Sequence, residues 1–255
     1  SKDCIENVDL FFSWGEFMTR FLIEENVFPK RKIETYGSPF SDHWRLAQGN
    51  QRNPTRQVGI ATTWRVLGKP VNLMSWLDDA QNGGPEESGY FLDPEKSEVW
   101  VYWEASLMRL YGELIGALTS KGHSVQLRPP LPEVRSIYKF LEIKYKGKFS
   151  VGGNERISLW LNGINVLITL MSTTALDAIL AGVPVISVKK IVNQDAYSRI
   201  PRGYVYDYEE YLWQPENFGE LEQMVKEAAN GNLPLAPNVP KLHEVISDRF
   251  GLPRK

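Results

Sequence analysis

A doubly wound α/β fold, a parallel sheet with helices on both faces, is what this sequence predicts, and three observations carry the prediction. Residues 164–171 (INVLITLM) form a nearly continuous apolar run, as a central parallel strand covered on both faces requires. Directly after it come Ser172-Thr173-Thr174, a helical stretch through Leu180, the stop Ala181-Gly182 and a second apolar run, 183–188 (VPVISV). Those segments read as strand, helix and strand with tight connections. The same alternation of short apolar runs and helical patterns recurs along all 255 residues, which is the pattern of a layered α/β architecture.

The elements follow in order. Residues 8–12 (VDLFF) predict a buried strand. Ser13 then stands as a helix cap with Glu16 three residues on, the spacing of a capping box, and Phe17, Phe21 and Leu22 recur at helical spacing. Pro29 ends that unit, and residues 32–36 (KIETY) form a second strand stopped by Gly37-Ser38-Pro39. Residues 45–56 are polar with Gly and Pro and read as a linker, so residues 1–50 and 51–255 are expected to belong to different sheets. A strand begins at 58–62 (VGIAT), and residues 78–97, rich in Asp, Gly, Pro and Glu, read as a long loop. The clearest helix is 99–120, with Trp100, Trp103, Leu107, Leu110, Tyr111, Leu114 and Leu118 on one face and Gly122 as its stop. A strand at 124–128 (SVQLR) closes at Pro129-Pro130. A helix at 134–141, a short strand at 148–151 and a short helix at 155–161 come next, and helices near 215–229 and 240–250 finish the chain.

Composition narrows the function classes. A net charge of −2 gives no global field for nucleic acid or anionic lipid, so an anionic ligand has to be held by a few local donors. The single cysteine, Cys4, permits no internal disulfide, and no apolar run reaches the roughly 18 residues of a membrane span. These features predict a cytoplasmic chain, with a peripheral place at the inner membrane face, through a partner, as a further option. His43, His123 and His243 are scattered, no spacing suggests a metal site, and no cofactor motif is present.

Four strand ends carry candidate chemistry, because ligands of open α/β sheets bind at the carboxyl ends of strands. Ser172, Thr173 and Thr174 combine hydroxyls with the free N–H groups of a helix start and form a candidate phosphate site; the alternative is a plain cap. Asp177, on the same helix, is placed to reach ribose hydroxyls. Arg128 ends its strand with a planar fork suited to phosphate; the competing reading is a surface ion pair, with Glu133 as partner. Thr62-Thr63-Trp64-Arg65 repeats the pattern of hydroxyls and a cation, with Arg65 as a further nucleotide contact. Glu16 either completes its capping box or serves as a general base. Trp14 and Trp64 stand out from the eight tryptophans as candidates for a role beyond packing.

Together the stretches 9–42, 172–187 (STTALDAILAGVPVIS) and Leu127-Arg128-Pro129 resemble GT-B glycosyltransferases of bacterial surface-polysaccharide biosynthesis, with two Rossmann-like domains facing across a cleft. The first stretch, with Gly37-Ser38-Pro39 and Asp42, is similar to the close of a GT-B N-terminal domain. The second is similar to the donor-nucleotide segment of the C-terminal domain. The third is similar to a strand end that carries an Arg-Pro-His-Pro motif in polysaccharide transferases; Pro130 stands here where those have histidine. The resemblance implies an incomplete N-terminal domain over 1–50 and a nucleotide-sugar-binding domain over 51–255, with the missing part supplied by further chain or a partner chain. It implies transfer from a nucleotide-sugar donor to a polysaccharide or glycolipid acceptor without a metal, with Ser172, Thr173, Thr174 and Arg128 on the donor phosphate. A non-hydrolysing nucleotide-sugar epimerase and a noncatalytic nucleotide-binding module are the two competing readings.

Overall fold

In the computed structural model, residues 8–37, 57–63, 94–130, 135–152, 155–199 and 204–251 are described. Five parallel strands form the main sheet: β3 (Gln57–Ala61), β4 (Ser124–Arg128), β5 (Phe149–Val151), β6 (Ile164–Thr169) and β7 (Val185–Ser187). The first two strands of the chain, β1 (Phe11–Ser13) and β2 (Ile33–Thr35), pair in parallel as a separate two-stranded sheet. In space the main sheet runs β5-β4-β3-β6-β7. The chain therefore starts this sheet at its centre and moves first to one edge, then to the other, the order expected of a doubly wound sheet.

Both faces are covered. Val58, Ile60, Val166 and Ile168 point to one face, where α2 (Pro94–Ser120), α6 (Gln194–Arg199) and α7 (Phe218–Ala229) pack. Ala61 and Leu167 point to the other, beneath α4 (Ile157–Asn162), α5 (Thr174–Leu180) and α8 (Val239–Phe250). The period of two in a strand puts alternate residues into opposite cores, so these central strands read as unbroken apolar runs. The seven residues expected on one face of α2 are all buried in the first core. Gly122, at φ +91°, turns the chain out of that helix, a conformation that glycine adopts without strain. Asn217 and Asn238 cap α7 and α8 by accepting the N–H of Glu220 and Lys241, at 3.0 and 3.1 Å.

At the centre of the sheet Gly59 has a packing reason. A Cβ there would lie 2.5 Å from Ile164 Cδ1 and 3.1 Å from the Trp160 ring. The absent side chain is what lets the Trp160 indole from α4 lie on β3.

Three expectations need correction. Residues 8–12 are not a buried strand: only 11–13 are extended, and Leu10 and Phe12 are 40% and 53% exposed. A two-stranded sheet has too little surface above it to bury an apolar run. Ser13 does not cap a helix either. It is buried in β1, where its hydroxyl bonds the Thr19 hydroxyl and the Glu34 carbonyl, while Gly15 is the N-cap of α1 (Glu16–Glu24). Residues 94–97 belong to α2 and not to a loop. Residues 45–56, 64–93 and the boundary near residue 50 lie outside the described residues. Three described elements have no counterpart in the sequence reading: α6 and the 3-10 helices at Lys30–Lys32 and Tyr204–Tyr211.

The small sheet is tied to the end of the chain. Arg20 on α1 makes a bidentate ion pair with Asp248 on α8, at 2.9 and 3.1 Å. Beside it, Gly37 and Gly251 touch backbone to backbone; a Cβ on Gly251 would lie 2.7 Å from Gly37 Cα and 2.5 Å from Trp14 O.

Candidate functional site

Parallel register brings the strand ends to one edge. Ala61 is level with Arg128 on one side and Thr169 on the other, and Thr169 is level with Ser187. The residues that follow each strand, Thr62-Thr63, Pro129, Leu170–Ser172 and Val188-Lys189, therefore emerge together. That edge is the ligand edge of an open α/β sheet.

Arg128 is the best-defined group there. Its Nη2 donates to the Glu155 carbonyl at 2.8 Å, and Nη1 lies 3.7 Å from Glu155 Oε1 without forming a hydrogen bond. Its guanidinium stacks 5.5 Å from the centre of the Trp160 ring. Burial lowers its pKa from the ordinary arginine value, and Arg135 adds to that, while Glu155 and Asp177 oppose it. So Asp177, in the first turn of α5, lies within electrostatic reach of Arg128. The ion-pair partner is Glu155, which follows β5; Glu133 lies outside the described residues.

The hydroxyl triplet divides. Ser172 is buried, its Oγ accepts the Thr174 N–H at 3.3 Å, and its carbonyl accepts the Ala175 N–H at 3.0 Å. That is a serine-turn bond just before α5, whose N-cap is Thr173, and an accepting hydroxyl keeps its own O–H to donate. Thr173 is exposed and Thr174 half-buried. The helix they open has seven residues, which limits the dipole it can present. Near β3, Thr62 Oγ1 accepts the Tyr138 hydroxyl at 3.3 Å, whereas the buried Thr63 Oγ1 has no hydrogen-bond partner among the described residues. Arg65 and Trp64 lie outside the described residues. Glu16 is exposed at the first turn of α1, beside the small sheet, and Trp14 is 44% exposed next to it.

Sequence reasoning missed a group directly behind this edge. Glu209, on the 3-10 helix, is buried and accepts the Met171 N–H, and its neighbour Tyr208 donates its hydroxyl to the Ser172 carbonyl at 2.8 Å. Burial pushes the Glu209 carboxyl up to about 7, although the Met171 N–H and Lys189 both favour its charged form. Lys189, just past β7, also pairs with Glu210 at 3.2 Å. The only sequence signal was the run Tyr208-Glu209-Glu210-Tyr211, two acids between aromatic residues. An acid in such a setting is either solvated or held in place by a buried partner.

No protein-family model matches the chain, and no curated protein matches it. Solved structures do. The wall teichoic acid polymerase TagF aligns over 95% of this chain and 53% of its own, at 15% identity and a TM-score of 0.51. The UDP-GlcNAc 2-epimerase of Methanocaldococcus jannaschii aligns over 93% of this chain and 61% of its own, at 12% identity and a TM-score of 0.49. TarM aligns over 98% of this chain and 43% of its own, at 13% identity and a TM-score of 0.45. At these identities the likeness is one of fold alone. The chain has the expected α/β fold of GT-B type with a five-stranded parallel sheet, and spans about half the length of TagF, the protein it aligns with at the highest of these three TM-scores.

Proposed function

We propose that the carboxyl edge of the main sheet binds the diphosphate of a sugar nucleotide, and that the chain serves glycosyl transfer to a surface polysaccharide or glycolipid. The observation that carries this is Arg128. It is a largely buried guanidinium at a strand end, with Nη1 making no hydrogen bond among the described residues and a carboxylate, Asp177, near it. A guanidinium is costly to bury, and a bound phosphate would supply the acceptor that Nη1 lacks.

In this reading Arg128 and Arg65 contact the nucleotide and its phosphates, with N–H and hydroxyl donors from Ser172, Thr173 and Thr174. Asp177 accepts from ribose hydroxyls. Glu16 takes the proton from an acceptor hydroxyl as that oxygen attacks the anomeric carbon. The bond from that carbon to the diphosphate oxygen breaks, and its electron pair leaves with the nucleotide. Fixed donors at the leaving phosphate stabilise that developing charge, a role that cationic side chains can fill without a metal. The reaction belongs on the cytoplasmic side of the membrane, where nucleotide sugars are made, with the acceptor brought by a membrane-bound partner. Among the described residues no helix is long and apolar enough to cross a membrane.

Calorimetry with CMP, CDP and UDP tests the reading. We expect one of them to bind below the millimolar range, and Arg128→Ala to weaken it by about 1.5–3 kcal/mol, the usual worth of hydrogen bonds to charged groups. Failure of all three to bind the wild type refutes the proposal. Binding without transfer to any acceptor would favour the noncatalytic module.

A further inference from the structure

The bend between β6 and α5 is held by a second element. Met171 sits at φ +52°, in the left-handed region that side-chain-bearing residues rarely enter. Its N–H donates to the Glu209 carboxylate, and the carbonyl of the next residue, Ser172, accepts from the Tyr208 hydroxyl. Two consecutive side chains of the 3-10 helix thus take the two peptide groups that flank the Met171–Ser172 pair. Tyr208 is fully buried and Glu209 is 2% exposed. Filling this space does not require an acid, and burying one costs several kcal/mol of hydration. Among the described residues the charged groups beside it are Lys189, from the turn after β7, and Glu210, which Lys189 also pairs. From α8, Lys241 lies near Tyr211, further along the same 3-10 helix.

We propose that Glu209 is the positioning residue of the ligand edge: it fixes the bend that presents Ser172, Thr173 and Thr174, and its negative charge opposes the arrival of a phosphate there. This rests on the reading that a nucleotide phosphate binds at this edge. Because burial holds the carboxyl up to about 7, its charge changes within the neutral range. Two like charges then share one bend. Phosphate binding therefore favours the protonated acid, and the protein takes up a proton as the nucleotide arrives.

Glu209→Gln keeps the acceptor for Met171 and removes the charge; Glu209→Ala removes both. UDP and CDP are titrated calorimetrically into each from pH 6 to 8. The Gln variant experiences the same titration of the nucleotide itself, so the ratio of wild-type to Gln affinity isolates Glu209. That ratio is expected to fall about fivefold between pH 6 and 8, and the Ala variant to bind more weakly than the Gln variant throughout. A ratio that does not change with pH overturns the charge coupling, and an Ala variant that binds as tightly as Gln overturns the positioning role. If the Ala variant does not fold, the pH dependence of the ratio decides by itself. Hydrogen exchange of the segment 169–176 without ligand gives a separate answer: faster in Ala and native in Gln if Glu209 fixes the bend. Absence of nucleotide binding to the wild type sinks the reading of the site. In that event native exchange in both variants removes Glu209 from its role, and fast exchange in Ala alone retains it as the anchor of the bend.

Discussion

The buried acid also makes folding stability depend on pH, and the size of that dependence follows from its surroundings. Burial raises the Glu209 carboxyl from 4.5 to about 7. Between those values the folded chain holds a proton that the unfolded chain has released. Stability therefore falls as pH rises through this window. The contribution is fully present below about pH 4.5 and lost above about pH 7, which is the reverse of a salt-bridged carboxylate. At about 1.4 kcal/mol per pH unit, the whole window is worth about 3 kcal/mol. Urea denaturation of the wild type and of Glu209→Gln, at intervals from pH 4.5 to 8, measures it. Every other acid titrates equally in both proteins, so the difference between the two stability curves belongs to Glu209. It should shift by about 3 kcal/mol against the wild type with rising pH and then level off. Parallel curves, or a shift of opposite sign, would show that Glu209 is hydrated or ion-paired in solution, and the buried clamp behind the β6–α5 bend would have to be abandoned.

Other expectations are simpler to check. Arg128→Lys should not restore nucleotide binding lost in Arg128→Ala, since an ammonium can neither hold the Glu155 carbonyl and a phosphate in one plane nor stack on Trp160; equal calorimetric affinities for Lys and wild type would argue against a planar fork at the site. Glu155→Gln should tighten binding of CDP or UDP, because the Glu155 carboxylate is the anion that a phosphate has to displace beside Arg128, and weaker binding would instead make Glu155 a ligand contact. Gly59→Ala should destabilise the fold by about 1–3 kcal/mol in urea, the usual cost of overpacking, as Ile164 and Trp160 have to move; a neutral result would mean that Trp160 is loosely seated.

How much of this was legible in the sequence depends on how local the cause is. β6 and β7 announce themselves because both of their faces are buried, so apolar residues run through them with few breaks. The face of α2 is legible for the same reason: Trp100 to Leu118 repeat at the helical period against one core. The end of β4 at Arg128 was visible, and the parallel register that brings it level with Ala61 follows from the strand order. Less local facts were hidden. The partner seen at Arg128, Glu155, comes from beyond β5, 27 positions away. Glu209 takes its meaning from Met171, 38 positions back, and lies in a 3-10 helix, whose side chains recur every third residue and not at the α-helical period. The apolar residues 8–12 misled because hydrophobicity predicts burial only if something lies on top of the strand, and Phe12 on β1 meets the edge of Tyr36 yet stays 53% exposed.

The peptide-on-peptide contact of Gly37 with Gly251 bears on the order in which the molecule is assembled. The salt bridge beside it joins residues 228 positions apart, and a loop of that length closes late, after the entropy of the intervening chain has been reduced by other contacts. During synthesis β1, α1 and β2 leave the ribosome before all five strands of the main sheet, and α8 follows only after them. Until α8 is made, the Arg20 guanidinium and the Gly37 backbone lack the seat that they have in the folded molecule.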